Sequence, residues 1–241
     1  PIKNEKTIFV WPEGILPEIS QKKLFEYKWL FEKSFNKNHL LLIGINNQTI
    51  NKESINYFNS LSIYDHNLEL LNFYNKVNLV PFGEFLPFEN ISKAFGLRSI
   101  TNNYQSFSKG NKREIMEINR EGFSIKILPL ICYEIIYSGK IFSNSNFDLI
   151  INISEDGWFG KSIGPKQHFA HSIFRAVESG KYLLRSANNG IAAIINPLGI
   201  VEQKIEYGES GFIDFKEAKK IQPTLFSKYG NKIFIILILL Y

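Results

Sequence analysis

Three observations in the sequence predict an α/β fold. Apolar runs of strand length recur along the chain, an amphipathic stretch with helical spacing lies between the first two of them, and a second helical pattern is bracketed by Pro165 and Gly180. The longest run, FSIKILPLI from Phe123 to Ile131, carries one charge, Lys126, and reads as a strand buried on both faces. Cys132, the only cysteine, and Glu134 stand at its end.

TIFVW at 7–11 reads as the first strand and runs into the turn Pro12, Glu13, Gly14, which puts a carboxylate at a strand end. Ser20 to Asn36 carries Leu24, Tyr27, Phe31 and Phe35 at spacings of three and four, with lysines and glutamates between them, and predicts an amphipathic helix. Leu40 to Ile45 is the second apolar strand, and the polar stretch 46–67 reads as a strand and a surface loop. In YNKVNLVPFGEFLPFE, residues 74–89, Lys76 and Glu84 flank Leu79 and Val80, and Pro81 with Gly83 marks a tight turn that aims Glu84 at a fixed point. Phe85 to Phe107 is loop-like yet rich in Phe, Leu and Ile, so it reads either as a binding or membrane surface or as chain buried against the domain.

FDLIINIS at 147–154 is another buried strand, followed by the turn EDGWFGKSIGP. Pro165 suits a first helical turn, Phe169, Ile173, Ala176 and Val177 continue the helix, and Gly180 ends it. Tyr182 to Arg185, Ile191 to Ile195 and Gly211 to Phe215 read as strands, with the turn Asn196-Pro197-Leu198-Gly199 between the last two. No repeat, low-complexity linker or internal domain boundary is visible. The last residues, IFIILILLY from Ile233 to Tyr241, are all apolar and read as the start of a membrane helix or as a buried terminal strand.

Composition excludes several functions. One cysteine cannot form an intrachain disulfide, and a net charge of +5 on scattered lysines, with no arginine-rich run, points to no nucleic-acid partner. His168 and His171 lack the spacing and neighbours of a zinc site, so no metal is expected, and no Gly-rich phosphate loop or other cofactor motif is present. GKSIG at 160–164 matches a hydrolase nucleophile elbow, but no histidine follows His171 to complete a triad in the required order. A Cys–His pair with His39, His66, His168 or His171 has no local context that marks it.

What remains is a glutamate at one strand end, a lysine, and a cysteine at another strand end. A thiol is only a few per cent ionised at neutral pH and needs a base, which Glu13 can supply. Lys76 can stabilise the oxyanion that forms when the thiolate attacks a carbonyl, beside a backbone N–H that follows the nucleophile. Each residue also has a bland reading, Cys132 as a small core hydrophobe and Lys76 and Glu84 as surface charges.

WPEG, YNKVNLVPFGE, ICYE, DGWFGKSIGP and RSANNGIAAIINPLG, in this order, resemble the nitrilase superfamily. Within it, VPFGEFLPFE, CYE and WFGKSIGPKQH are most similar to the apolipoprotein N-acyltransferase family. The resemblance spans about residues 7 to 230 and implies a Glu13, Lys76, Cys132 triad, with Glu84, Tyr133, Glu134 and Trp158 lining or supporting the site. It implies a four-layer αββα sandwich on the periplasmic side of a bacterial inner membrane, a phospholipid acyl donor, a diacylglyceryl apolipoprotein acceptor, a Cys thioester and no cofactor. Where that family usually has Asn-Asp-Ala, this chain has Glu155, Asp156 and Gly157. The family also has a strand and helix ahead of the WPEG strand and membrane helices before those. Against that pattern, residues 1–230 read as an N-terminally truncated catalytic domain and 231–241 as the start of a transmembrane helix. A soluble carbon–nitrogen hydrolase with the same triad and an inactive remnant are the alternatives.

Overall fold

The computed structural model of the chain describes residues 4–50, 55–87, 106–120, 122–139 and 146–241. The chain forms two compact units, Pro1–Glu114 and Ile115–Tyr241, each with its own sheet.

In the first unit the strands β1 (Thr7–Val10), β2 (His39–Ile50), β3 (Ile55–Asp65) and β4 (Leu70–Asn75) lie side by side in chain order. β1 and β2 are parallel, and the other neighbours are antiparallel. A parallel pair needs a crossover, which here is helical. The expected single helix is interrupted: α1 (Gln21–Leu24) and α2 (Lys28–Ser34) are joined by a 3₁₀ turn, Phe25–Tyr27. Three residues per turn instead of 3.6 rotate the apolar stripe out of phase. Leu24 and Phe31 therefore stay in the core while Tyr27 faces out. The core pairs these helices with Leu41, Ile43 and Ile45, one face of β2.

The stretch read as strand and surface loop is mostly ladder. β2 runs on to Ile50, and β3 pairs with it from Ile55 opposite Ile50 to Asp65 opposite Leu40. Ser60 and Ser62 are fully buried in β3, and that polar composition is what made part of the ladder read as loop.

In the second unit the order is β10-β9-β8-β7-β6-β5, built from β5 (Met116–Arg120), β6 (Phe123–Ile131), β7 (Leu149–Glu155), β8 (Tyr182–Asn188), β9 (Ala192–Ile195) and β10 (Val201–Ile205). β6, β7 and β8 are parallel and the flanking strands antiparallel. α3 (Gly164–Ser179) starts with Pro165 in its first turn and ends at Gly180, whose φ of 65° closes it through bonds to the Ala176 and Val177 carbonyls. Its apolar side packs Phe169, Ile173 and Ala176 on Leu128, Ile150, Leu183 and Ile195 of the sheet.

The final predicted strand is displaced. Gly211 to Phe215 is irregular, and the edge strand is Val201–Ile205, whose Glu202, Gln203 and Lys204 face solvent and mask its period. Phe215 still packs, with its ring 4.8 Å from that of Tyr182. Near the end, α4 (Leu225–Tyr229) is capped by the Thr224 hydroxyl, and α5 (Lys232–Leu240) is a helix rather than a strand. Apart from half-buried Ile233 the side chains of α5 are exposed, and among the described residues no helix is long and apolar enough to cross a membrane. Most of the apolar loop Phe85–Phe107, including Phe88, Ile91, Phe95 and Leu97, lies outside the described residues.

Candidate active site

Glu13, Lys76 and Glu84 meet inside the first unit. β1 ends at Val10, the Trp11 N–H still donates to Leu42 C=O at 2.8 Å, and the turn that follows delivers Glu13. Lys76 is the residue after β4, pinned by its N–H on Asn59 C=O at 2.9 Å and by Gly110 N–H on its own carbonyl at 2.8 Å. Gly110 has to be glycine, because a Cβ there would run into the Asn75 carbonyl. Glu84 sits in the turn from Pro81 to Phe85, where Phe82 holds φ at 62° and Glu84 N–H donates to Val80 C=O at 2.8 Å.

The Lys76 ammonium, 1% exposed, lies 2.9 Å from Glu84 Oε1 and 3.5 Å from Glu13 Oε1. Asn59 Nδ2 donates to the same two oxygens, at 2.5 Å to Glu13 and 2.8 Å to Glu84, and Val80 N–H donates to Glu84 Oε2 at 2.8 Å. Both Glu84 oxygens are thus committed to protein donors, so Glu84 anchors the ammonium. Two buried carboxylates around one ammonium leave the cluster with an excess of negative charge, the condition for a proton acceptor beside a fixed cation. Asn59 was not foreseen. Its signal would have been a strand period running through the polar stretch NYFNSLSIY.

Cys132, Tyr133, Glu134 and Trp158 belong to the second unit. Cys132 follows the carboxyl end of parallel β6 and opens a 3₁₀ turn, Cys132–Ile136, with φ at 48°. Left-handed backbone at a non-glycine residue costs about 1–3 kcal/mol, so the surroundings must fix it. One backbone group on each of three consecutive residues there is clamped by a buried side chain. Asn152 Nδ2 donates to Leu130 C=O at 3.1 Å, Ile131 N–H donates to Glu134 Oε2 at 2.9 Å, and His168 Nε2 meets Cys132 C=O at 3.1 Å. Tyr133 is half-buried, its ring edge-on to Tyr137 at 5.6 Å.

His168 reaches Cys132 from α3, and its Nδ1 lies 2.8 Å from Asp156 Oδ1. Asp156 also accepts from Ser154 Oγ at 2.7 Å and from Arg185 Nη2 at 2.7 Å. Arg185 donates Nε to Ile191 C=O at 3.1 Å and Nη1 to Asn152 Oδ1, which returns the network to the β6 backbone. Burial alone would raise the Asp156 carboxyl, but the His168 hydrogen bond, the Arg185 and His168 charges and the Ser154 hydroxyl outweigh it and bring it down to about 2. This group was missed. Its signal was Arg185, a charge inside the apolar strand YLLRSAN, which demands a buried counter-charge.

The Glu155-Asp156-Gly157 departure is self-consistent. Glu155 Oε1 accepts from Gly157 N–H at 2.7 Å and from Asn189 Nδ2 at 3.0 Å. A Cβ at 157 would stand 2.6 Å from that oxygen, so the longer acid at 155 goes with glycine at 157. Trp158 follows in the 3₁₀ turn Gly157–Phe159 and is 59% exposed. Among the described residues no cluster of His, Cys, Asp and Glu is placed to hold a metal ion.

Residues 7–214 match the carbon–nitrogen hydrolase family model. The chain is 32% identical over 231 residues to the apolipoprotein N-acyltransferase of Bradyrhizobium diazoefficiens, covering 95% of this chain and 42% of that protein. It is 38% identical over 239 residues to the one of Wigglesworthia glossinidia brevipalpis, covering 95% and 46%. It therefore spans less than half the length of these relatives. Among solved structures, Nit3 of Saccharomyces cerevisiae, a member of the nitrilase superfamily, superposes with a TM-score of 0.57 at 16% identity, over 85% of this chain and 74% of that one. An amidase from Nesterenkonia sp. gives 0.55 at 14% identity, over 94% and 78%. At such identities the likeness is one of fold, a nitrilase-like α/β fold. The family match, which covers most of the length, makes this chain a member of the carbon–nitrogen hydrolase family.

Proposed function

We propose that residues 1–230 form the catalytic domain of a bacterial apolipoprotein N-acyltransferase that works at the periplasmic face of the inner membrane. The reading requires Glu13 and Lys76 to face Cys132 in one pocket, as the αββα sandwich implied by the family resemblance would have it. The observation that carries it is the buried Glu13–Lys76–Glu84 cluster, in a chain whose relatives at 30% to 39% identity bear that enzyme's name.

In the first half-reaction Glu13 takes the Cys132 thiol proton and the thiolate attacks the ester carbonyl of a phospholipid acyl chain. Lys76 and the Tyr133 N–H stabilise the oxyanion. The C–O bond breaks, Glu13 returns the proton to the departing lysophospholipid oxygen, and a thioester remains. In the second half-reaction the neutral α-amine of a diacylglyceryl-cysteine attacks the thioester, Glu13 accepts the amine proton, the C–S bond breaks, and the proton goes back to sulfur. No cofactor enters. The exposed apolar side chains of α5, Phe234 at 64% and Leu239 at 79%, favour lipid surroundings and so the transferase over a soluble hydrolase with the same triad.

The test is intact-mass analysis of the purified full-length protein after incubation with phospholipid vesicles. One added acyl mass at Cys132, labile to hydroxylamine and passed on to a diacylglyceryl peptide, is expected, with none in Cys132→Ser. A labile acyl adduct of equal yield in that variant removes Cys132 as nucleophile, and release of the acyl group only to water supports the hydrolase.

A further inference from the structure

His168 is a buried side chain of α3 that the reaction above does not use. It is 4% exposed, its ring meets the backbone carbonyl of the nucleophile, and its partners Asp156 and Arg185 are buried too. A carbonyl oxygen only accepts, so Nε2 must carry a hydrogen to bond Cys132 C=O. On the other side of the ring Nδ1 lies 2.8 Å from Asp156 Oδ1 and 3.2 Å from Arg185 Nη2, which itself donates to Asp156 Oδ2. The remaining neighbours are the Ser154 hydroxyl, which bonds Asp156, the Phe159 ring 5.5 Å away, and His171 one turn along α3, whose own proton affinity is lowered by burial and by the charges of Arg175 and His168.

We propose that His168 is a positioning residue for Cys132: its Nε2–H holds the Cys132 carbonyl, and with it the left-handed turn that presents the thiol, while Asp156 and Arg185 orient the ring. The reading rests on Cys132 being the nucleophile. Its physical basis is that a φ of 48° must be held from outside. Asn152 and Glu134 hold the residues before the thiol, at Leu130 C=O and Ile131 N–H, and only the bond to His168 acts on Cys132 itself among the three. Without it the turn relaxes toward ordinary φ, and a displacement of about 1 Å at the reacting atom is worth about a hundredfold in rate.

Two substitutions separate the two ring nitrogens. Gln places an amide N–H where Nε2 was and so keeps the bond to Cys132 while losing Asp156. Asn places its amide where Nδ1 was and so keeps Asp156 while losing Cys132. In the full-length protein, His168→Gln should keep kcat within several-fold of the parent. His168→Asn should lower kcat about a hundredfold with KM for phospholipid within twofold. Alkylation of Cys132 by iodoacetamide, read on the peptide that contains it, should fall in the same order. A merely structural role predicts the reverse, because Asn preserves the buried contact with Asp156, so equal losses or a better Asn variant overturn the proposal. If neither variant folds, ¹⁵N-histidine spectra of the parent decide: a protonated, hydrogen-bonded Nε2 supports the proposal and a bare Nε2 overturns it. Cys132→Ser is run alongside. If it still forms the labile acyl adduct, the nucleophile assignment fails, whereas an inactive Cys132→Ser beside an unimpaired His168→Asn fails the positioning role alone.

Discussion

The two units hold buried charge in different balance. Around Lys76 two carboxylates share one ammonium, and around Asp156 a guanidinium and an imidazole share one carboxylate. The first arrangement leaves a surplus carboxylate, Glu13, in a dry site, which suits a group that must accept and return a proton. The second leaves no surplus acceptor. Its donors are spent on backbone: His168 on Cys132 C=O, Arg185 on Ile191 C=O and, through Asn152, on Leu130 C=O. One cluster is therefore organised for chemistry and the other for shape, and mutations should separate the two behaviours.

The largest effect should come from the first cluster. Glu13→Gln should cut acyl transfer by about a thousandfold or more, since an amide cannot take the thiol proton. Its melting temperature should be unchanged or raised, because Lys76 keeps Glu84 as partner and a like charge is removed. Lys76→Ala should lose about a hundredfold in rate and also about 3–5 kcal/mol of stability, because it strands two buried carboxylates. Rate assays paired with thermal melts check both, and a Glu13→Gln protein as destabilised as Lys76→Ala would break the contrast.

Next in size is Gly190→Ala. A Cβ at 190 would fall 2.8 Å from Asp156 Cβ and Cγ and closer still to Oδ2, all in buried surroundings. Asp156 cannot yield without releasing His168 or Arg185. We expect a loss of about 3 kcal/mol, at the upper end for overpacking, seen as a lower urea midpoint with slower Cys132 alkylation. A melt at the parent temperature would show that the network tolerates slack and does not set the turn.

The sequence disclosed the parts of each cluster that sit at strand ends and turns. Glu13 after TIFVW, Glu84 in PFGEF and Cys132 after FSIKILPLI are marked by abrupt changes from apolar run to polar residue. The positions that complete the clusters sit inside elements, where that contrast is absent. Asn59 lies in a strand buried on both faces, where Asn59 bonds Glu13 and Glu84 and Ser60 bonds Asn75, so polarity there signals internal hydrogen bonding rather than a loop. His168 is one polar residue among several early in α3, and only the three-dimensional return of α3 over the end of β6 gives it a partner. The same limit explains the displaced last strand. An edge strand exposed on most positions carries no apolar period, while the apolar GFIDF segment attracts the assignment without forming a ladder.

The smallest expected effect concerns acid. The Asp156 carboxyl titrates near 2 in the folded protein against 3.8 as its ordinary value. A carboxyl held down on folding stabilises the protein above its unfolded value, and the contribution fades as pH falls from about 4 toward 2. Its size is on the order of 2 kcal/mol. Other carboxylates titrate over the same range, so the informative quantity is the stability difference between the parent and Asp156→Asn, measured by urea unfolding at successive pH values. That difference should be constant above about pH 5 and shrink by on the order of 2 kcal/mol by about pH 2, as the protonated parent comes to resemble the amide. A difference that stays constant down to about pH 2 would mean that Asp156 gains nothing special from Arg185, His168 and Ser154, and the contrast between the clusters would then have no energetic meaning.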